Sequence, residues 1–585
     1  MNAVITQHIT LNKKIFFIIL YYFVCIGSTI NTHLFAYPSL SRSLIPEIII
    51  LTTAIFLLCC KNRWNLCKNV PITTLWVTAW IIYIILHSLI LVSTHETYRI
   101  LYLCIFLFYG IINSFILQEK IITREIIVNG FIFISIIQIL FCILQATAIL
   151  QSDNIYFNIT GSNENPTTTS ILIVGCIPFI IERMHQKRWY ALFLPIVITL
   201  VFILRCRTAY IGLFVECSIL LFFYLKEKQI LIKISNWHKI IIASVAFIFF
   251  ILISFKLYDI KRNSANGRIL IWKLSSEMII ENPMGYGYGL FEKNYNLKQV
   301  NYFKKEIYND IEQKNAGYIF MPYNDFLEHG VEGGIIGLFF FAGFYLMLIK
   351  IAIKTKIRTE FSIIFAFFIM SFFNFIYTSI QGWLVIICIS SLITFKGEKV
   401  CCFNNIQKQK LFLFLVTIIV FFSFIKVLKI TYAQLVLNKL INNSKNHEKL
   451  DDILFKSLEE KISTSELYWS KRAELNIKHN KYENALTYIH NARKYSSSPK
   501  LFIYEYVCLN NINKNRSSIK YIDTLTNMIP SKLTYKYLLL KHYESNDKEK
   551  ATYYANEILK TGIKVESEKA NYIINQAKTY LKSNE

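Results

Sequence analysis

"MPYNDFLEHGVEGGIIGLFFF", residues 321–341, changes character half-way along. Its first twelve positions hold Tyr323, Asn324, Asp325, Glu328, His329 and Glu332. From Gly333 the chain turns apolar, and the run reads as a helix over 333–353, about the 20 residues that a hydrocarbon layer of roughly 30 Å requires. Acids, a histidine and a tyrosine at the edge of such a layer are costly unless they have partners or a function. The stretch therefore implies a chain threaded through a membrane and marks the mouth of this helix as a place to look for chemistry.

The rest of the first 430 positions repeats the pattern. The 585-residue chain is 54% hydrophobic and 15% aromatic, with a mean hydropathy of +0.40, too apolar for a soluble protein of this size. Spans are expected near 15–35, 43–60, 73–93, 99–117, 126–150, 168–182, 189–204, 208–225, 238–256, 333–353, 361–377, 380–395 and 410–427. The fold class is all-α: a polytopic helical membrane protein with about 12–13 spans. The run after Lys13 and Lys14 reads as the first membrane helix rather than a cleaved leader.

The net charge of +25 does not point to nucleic acid, because of where the charges sit. Lys and Arg gather in alternate loops, after the second span (Lys61, Arg63, Lys68), the fourth (Lys120, Arg124), the sixth (Arg183, Lys187, Arg188), the eighth (Lys226, Lys228, Lys233), the tenth (Lys350, Lys354, Lys356, Arg358) and the twelfth (Lys396, Lys399). That is the positive-inside pattern, and it puts the N-terminus in the cytoplasm. Two exceptions stand on the opposite side: Arg205 and Arg207 in "RCR", and the long loop 257–332. Most of the 13 cysteines lie inside apolar runs, without the paired spacing of a zinc site.

The chain divides into membrane helices over 1–256, a large outer loop over 257–332, membrane helices over 333–428 and a polar helical region over 429–585. In that last region "WSKRAELNIKHNKYENALTYIHNARK" has small and aromatic residues where a tetratricopeptide helix pair needs them, and Ala485, Ser518 and Ala551 recur at steps of 33. A generic helical bundle is the plain alternative. Such arrays dock partners rather than perform chemistry.

Four outer motifs carry polar groups. In "LRCRTAY" Arg207 stands where a guanidinium meets an anion, the alternative being an arginine that snorkels to the interface. "NSANGRILIWKLSSEMIIENPMGYGYGLF", 263–291, holds Arg268 and Trp272 and then glycines that permit a tight turn. "GSNENPTTTS", 161–170, offers Asn165 among hydroxyls and amides. The opening stretch supplies the rest, and the plain alternative for Gly334 and Gly337 there is close helix packing.

In their order, "NENP", "RTAY", "RILIW", "NPMGYGYG" and "NDFLEHGVEGGIIGL" resemble the O-antigen ligase family, which includes O-antigen ligases, O-antigen polymerases and protein O-oligosaccharyltransferases. The resemblance covers about residues 150–395. It implies a metal-independent, cofactor-free, inverting glycosyl transfer at the outer face of a bacterial inner membrane. The donor would be a glycan on polyprenyl pyrophosphate, and the acceptor a growing glycan, lipid A–core or a protein hydroxyl. Arg207 and Arg268 would stabilise the leaving pyrophosphate, and Glu332, Tyr323 or His329 would serve at the acceptor. Arg205, Asn165, Asn324, Asp325 and Trp272 would contact substrate. One departure stands out: where the family often has His before Asn, this chain has Tyr323 before Asn324. A transporter of lipid-linked sugars is the rival from another class. It would need charges deep in several spans, and Glu216 is the main candidate for one.

Overall fold

The computed structural model describes residues 2–37, 40–59, 70–91, 97–230, 237, 244, 262–306, 308–400, 406–443, 448–512, 515–561, 563 and 566–584. Apart from residue 244, the expected span 238–256 lies outside the described residues. The protein is an all-α polytopic membrane protein. Its membrane part comprises α1 (Asn2–Gly27), α2 (Ser41–Cys59), α3 (Ile72–Leu86, continued by a π turn His87–Leu91), α4 (Thr97–Gln118), α5 (Arg124–Ala146), α6 (Pro166–Met184), α7 (Tyr190–Ile203) and α8 (Arg207–Glu227). After the loop helices α9 (Arg262–Glu281), α10 (Phe291–Lys304) and α11 (Asp310–Asn315), it resumes with α12 (Asp325–Thr355), α13 (Arg358–Ser371), α14 (Ile380–Lys396) and α15 (Ile406–Asn443). Among the described residues eight helices are long and apolar enough to cross a membrane, and α7 and α14 are shorter apolar helices.

The two ends of the bundle are chemically different. At one end Arg124 donates to Glu182 at 2.7 Å and to Glu360 at 2.5 Å, Arg358 pairs with Glu227 and Lys354 with Glu398, and a two-residue ladder joins Val70–Pro71 to Lys399–Val400. At the other end Arg42 binds Asn163 and Glu164, both at 2.9 Å, and Asn163 also donates to Gln381 at 2.9 Å. Asn165 caps α6 through the Thr167 amide, with Pro166 in the first turn, where its missing N–H is harmless. α15 exposes the side chains Leu411, Phe414, Ile419 and Phe422, an apolar surface of the kind that hydrocarbon covers in a membrane helix.

α15 runs unbroken through residue 428 and out of the bundle at the second end. Beyond α16 (Glu448–Ile462) come α17 (Glu466–Lys478), α18 (Tyr482–Ala492), α19 (Pro499–Asn511), α20 (Asn515–Met528), α21 (Leu533–Tyr543), α22 (Lys548–Lys560) and α23 (Glu568–Asn584). The first helices of three successive hairpins begin at 466, 499 and 533, and the last helix begins at 568, so helix starts recur after 33–35 residues. Ala485, Ser518 and Ala551 are all buried. This tail sits on the large loop: Glu292 accepts from the Ser497 hydroxyl at 2.9 Å, and Gln299 donates to the Met528 carbonyl at 2.7 Å.

Candidate active site

α12 breaks at Gly334, whose φ of 66° and ψ of −168° lie outside any helix. The "NPMGYGYG" turn threads against the break. Tyr286 N donates to Val331 O at 2.8 Å, Gly287 N to Glu332 O at 2.9 Å and Ile335 N to Pro283 O at 2.9 Å. A Cβ on Gly334 would lie 2.3 Å from Pro283 O, and one on Gly285 would lie 2.4 Å from Gly334 N. Two backbones pass here at contact distance, and only glycine leaves room for both. Gly334 is therefore not explained by helix packing, the plain alternative: it is the kink that separates the polar segment 325–333 from the apolar span.

The side chains of that segment have different fates. Asn324 caps it through the Leu327 amide at 3.1 Å. Both oxygens of Asp325 accept from Ile376 N, at 3.0 and 3.1 Å. Glu328 accepts from Arg99 at 3.0 Å, and that guanidinium also lies 4.6 Å over the Tyr377 ring. Glu332 accepts from Gly289 N at 3.0 Å through one oxygen, while its other oxygen is buried without a hydrogen-bond partner among the described residues. His329 is neither solvated nor a cap. It is fully buried, stacked 4.2 Å from Phe341 and 4.3 Å from Tyr377, with Trp80 edge-on at 5.5 Å.

The basic candidates meet nearby. Arg268 donates to Phe373 O at 2.7 Å and lies 4.8 Å over the Tyr323 ring. Burial, reinforced by the like charge of Arg207, pulls the Arg268 guanidinium down from its ordinary value, though an arginine stays charged at any physiological pH. Arg207, from the start of α8, is 3.4 Å from the Ser264 hydroxyl. Trp272 donates to Pro322 O at 3.0 Å, bracing the strained Tyr323 backbone (φ 54°). Arg205 is exposed in the turn before α8, and Asn165 stays at its cap, bonded through its side chain to the helix it starts.

Two groups of residues escaped the sequence reading. One is the short connection between α13 and α14: Phe373 O takes Arg268, Phe375 faces Tyr323, Ile376 N takes Asp325 and Tyr377 lies under Arg99. The other is a polar stripe on α3 and its π turn. Trp80 packs on His329, Tyr83 donates to Gly333 O, and His87 Nε2 sits 2.7 Å from Met284 O. A signal existed for part of this. Arg42 and Arg99 are further basic residues at the end where loops were expected to be poor in them, and His87 is an ionisable group within the expected span 73–93. Glu47, like Glu216, is a carboxylate buried inside a span.

Residues 190–342 match the family model described as O-Antigen ligase. The chain carries an O-antigen ligase domain. No curated protein matches the chain. The ligase domain spans α7 to the first half of α12 and so contains Arg205, Arg207, Arg268, Trp272 and the whole segment 321–333. Arg99, Asn165, the α13–α14 connection and the helical tail lie outside it. The family places the protein in membrane-bound glycan transfer during polysaccharide assembly.

Proposed function

We propose that the protein transfers a glycan from a polyprenyl pyrophosphate carrier to an acceptor hydroxyl, with inversion at the anomeric carbon and without a metal, at the outer face of a bacterial inner membrane. The observation that supports this most directly is that Arg207 lies 3.4 Å from the Ser264 hydroxyl, one turn of α9 before Arg268, at the end of the bundle that carries the large loop. Guanidinium forks match phosphate oxygens, and two of them at one place suit a pyrophosphate. In the reaction the acceptor oxygen bonds to the anomeric carbon as the bond from that carbon to the phosphate oxygen breaks. The electron pair leaves with the pyrophosphate, whose growing charge the two arginines stabilise. Asp325 is held by Ile376 N. Glu328 and Glu332 each keep one carboxylate oxygen without a hydrogen-bond partner among the described residues, but Glu328 is paired with the Arg99 cation, which favours Glu332 to take the acceptor's proton.

Tyr323, at the family's histidine position, acts here as the ring on which Arg268 rests. The helical tail reads as tetratricopeptide-like repeats. Its docking on the loop favours a partner or acceptor presented at the same face. The test is transfer from a lipid-linked donor by purified protein. Arg207→Ala and Arg268→Ala should each lower turnover about 100- to 1000-fold, on the scale of losing one oxyanion donor, and lysine should restore little of it. Wild-type transfer by both alanine variants would overturn the assignment.

A further inference from the structure

The tail and the large loop enclose a cavity of about 530 Å³ between the end of α10, the short α11 and the helices α20–α22. The volume lies within the range of ligand sites, roughly 300–1,000 Å³. It exists only because the tail is docked. Val300 of α10 packs in one cluster with Phe502, Ile522, Leu525 and Met528 of the tail, and the Ser531 hydroxyl donates to Ala316 O at 3.2 Å.

The lining is unusual for a protein-docking groove. Phe303 and Pro530 are its only apolar lining residues besides tyrosine among the described residues; the rest of its walls are Tyr308, Tyr543, Tyr553 and Tyr554 interleaved with amides, a hydroxyl, lysines and carboxylates. Tyr543 and Tyr554 are stacked with centroids 5.8 Å apart and planes within 7°, and Tyr553 is 53% exposed, so its ring is available. A helix or peptide anchored through apolar side chains would find no pocket for them. A lipid tail would find only Phe303 and Pro530 beside the tyrosine rings. Lys304, Lys536 and Lys550 balance Glu306, Asp523 and Glu557, so the cavity does not select a polyanion either. Flat rings beside donors and acceptors of both kinds are what a sugar asks for, because its C–H faces lie on aromatic rings while its hydroxyls both donate and accept.

We propose that this cavity is a second glycan-binding site, which holds an uncharged or weakly charged oligosaccharide segment away from the reaction centre. The inference rests on the glycan-transfer reading above. α10 links the two places. It begins at Phe291, two residues after the Gly289 amide that binds Glu332, and ends at Lys304 in the cavity wall. Fourteen helical residues span about 21 Å at 1.5 Å each, a separation that a chain of several sugars bridges and a single sugar does not. The site would retain a growing or incoming chain by its length.

The test uses the full-length protein in lipid nanodiscs and, as probe, multi-unit oligosaccharide released from the host's own lipid-linked pool. Saturation-transfer NMR should show the probe bound. Tyr553→Ala should weaken binding about tenfold, equivalent to about 1.4 kcal/mol, and Tyr553→Phe should retain it because the ring remains. Tyr553 is exposed enough that its loss leaves the fold intact, which far-ultraviolet circular dichroism checks. Arg207→Ala and Arg268→Ala should leave this binding unchanged. Undiminished binding by Tyr553→Ala, or binding of peptide probes in place of the oligosaccharide, would overturn the proposal. If the cavity variants bind normally while transfer still depends on the two arginines, the second site alone fails. If transfer ignores the arginines, the glycan-transfer reading fails instead.

Discussion

Removing the Arg99 side chain should damage the protein more than removing Arg99 and the charge of Glu328 together. Arg99 and Glu328 are 15% and 5% exposed and share one hydrogen bond of 3.0 Å. Arg99→Ala strands a buried carboxylate on segment 325–333, one helical turn before Glu332, and removes the cation that lies over the Tyr377 ring. Breaking a buried ion pair by deleting one partner costs about 3–5 kcal/mol, because the surviving charge keeps its desolvation penalty. The partial exposure of Arg99 and the modest worth of its ring contact place the expected loss near the lower end, about 3 kcal/mol. Arg99→Ala with Glu328→Gln removes the stranded charge and should recover at least about 1 kcal/mol of that loss. The assay is equilibrium unfolding of purified protein in mixed micelles with increasing dodecyl sulfate, followed by circular dichroism, for the wild type, both single variants and the double. An Arg99→Ala variant within about 0.5 kcal/mol of wild type, or a double variant no more stable than Arg99→Ala, would refute the reasoning.

Gly334→Ala should fail to give monodisperse protein, since a Cβ would meet Pro283 O at 2.3 Å on a backbone with φ 66°, whereas Gly317→Ala, with nothing within 4 Å, should behave as wild type in the same size-exclusion assay. Tyr323→Phe should keep most transfer activity because Arg268 rests on the ring, and Tyr323→Ala should lose roughly tenfold or more, for a cation–π contact of about 1–2 kcal/mol; comparable turnover for the two would show that the ring does not position the arginine. In the tail, burial pushes the Glu474 carboxylate up, but bonds from Lys500 and Lys471 outweigh it and hold it at about 2. A depressed carboxylate contributes stability that is present above its unfolded value near 4.3 and is lost as pH falls towards 2. Melting of the protein from pH 5 to pH 2 should therefore show a steeper loss for wild type than for Glu474→Gln, and parallel curves would count against the pair.

The sequence by itself determined the class of fold, the approximate place of the described spans, the grouping of basic loops at one end and the 33-residue rhythm of the tail. Hydropathy, charge and small-residue spacing are properties of short windows, so a linear reading finds them. It also singled out Arg207, Arg268 and the segment 321–333, because each is polar where the surrounding pattern is not. It did not give their partners. Arg99 lies 229 residues from Glu328, and Arg268 lies 105 from the carbonyl that holds it, and nothing local in either segment encodes the meeting. The same holds for His329, whose aromatic surroundings come from α3, α12 and Tyr377, and for Gly334, whose φ is imposed by the turn around Pro283. A local pattern shows that a polar group sits at a membrane edge. Whether it becomes a cap, a buried ion pair, a caged ring or a free carboxylate depends on which distant backbone and side chains pack against it, and the tertiary structure decides that because a buried polar group is stable only with the partners that packing brings.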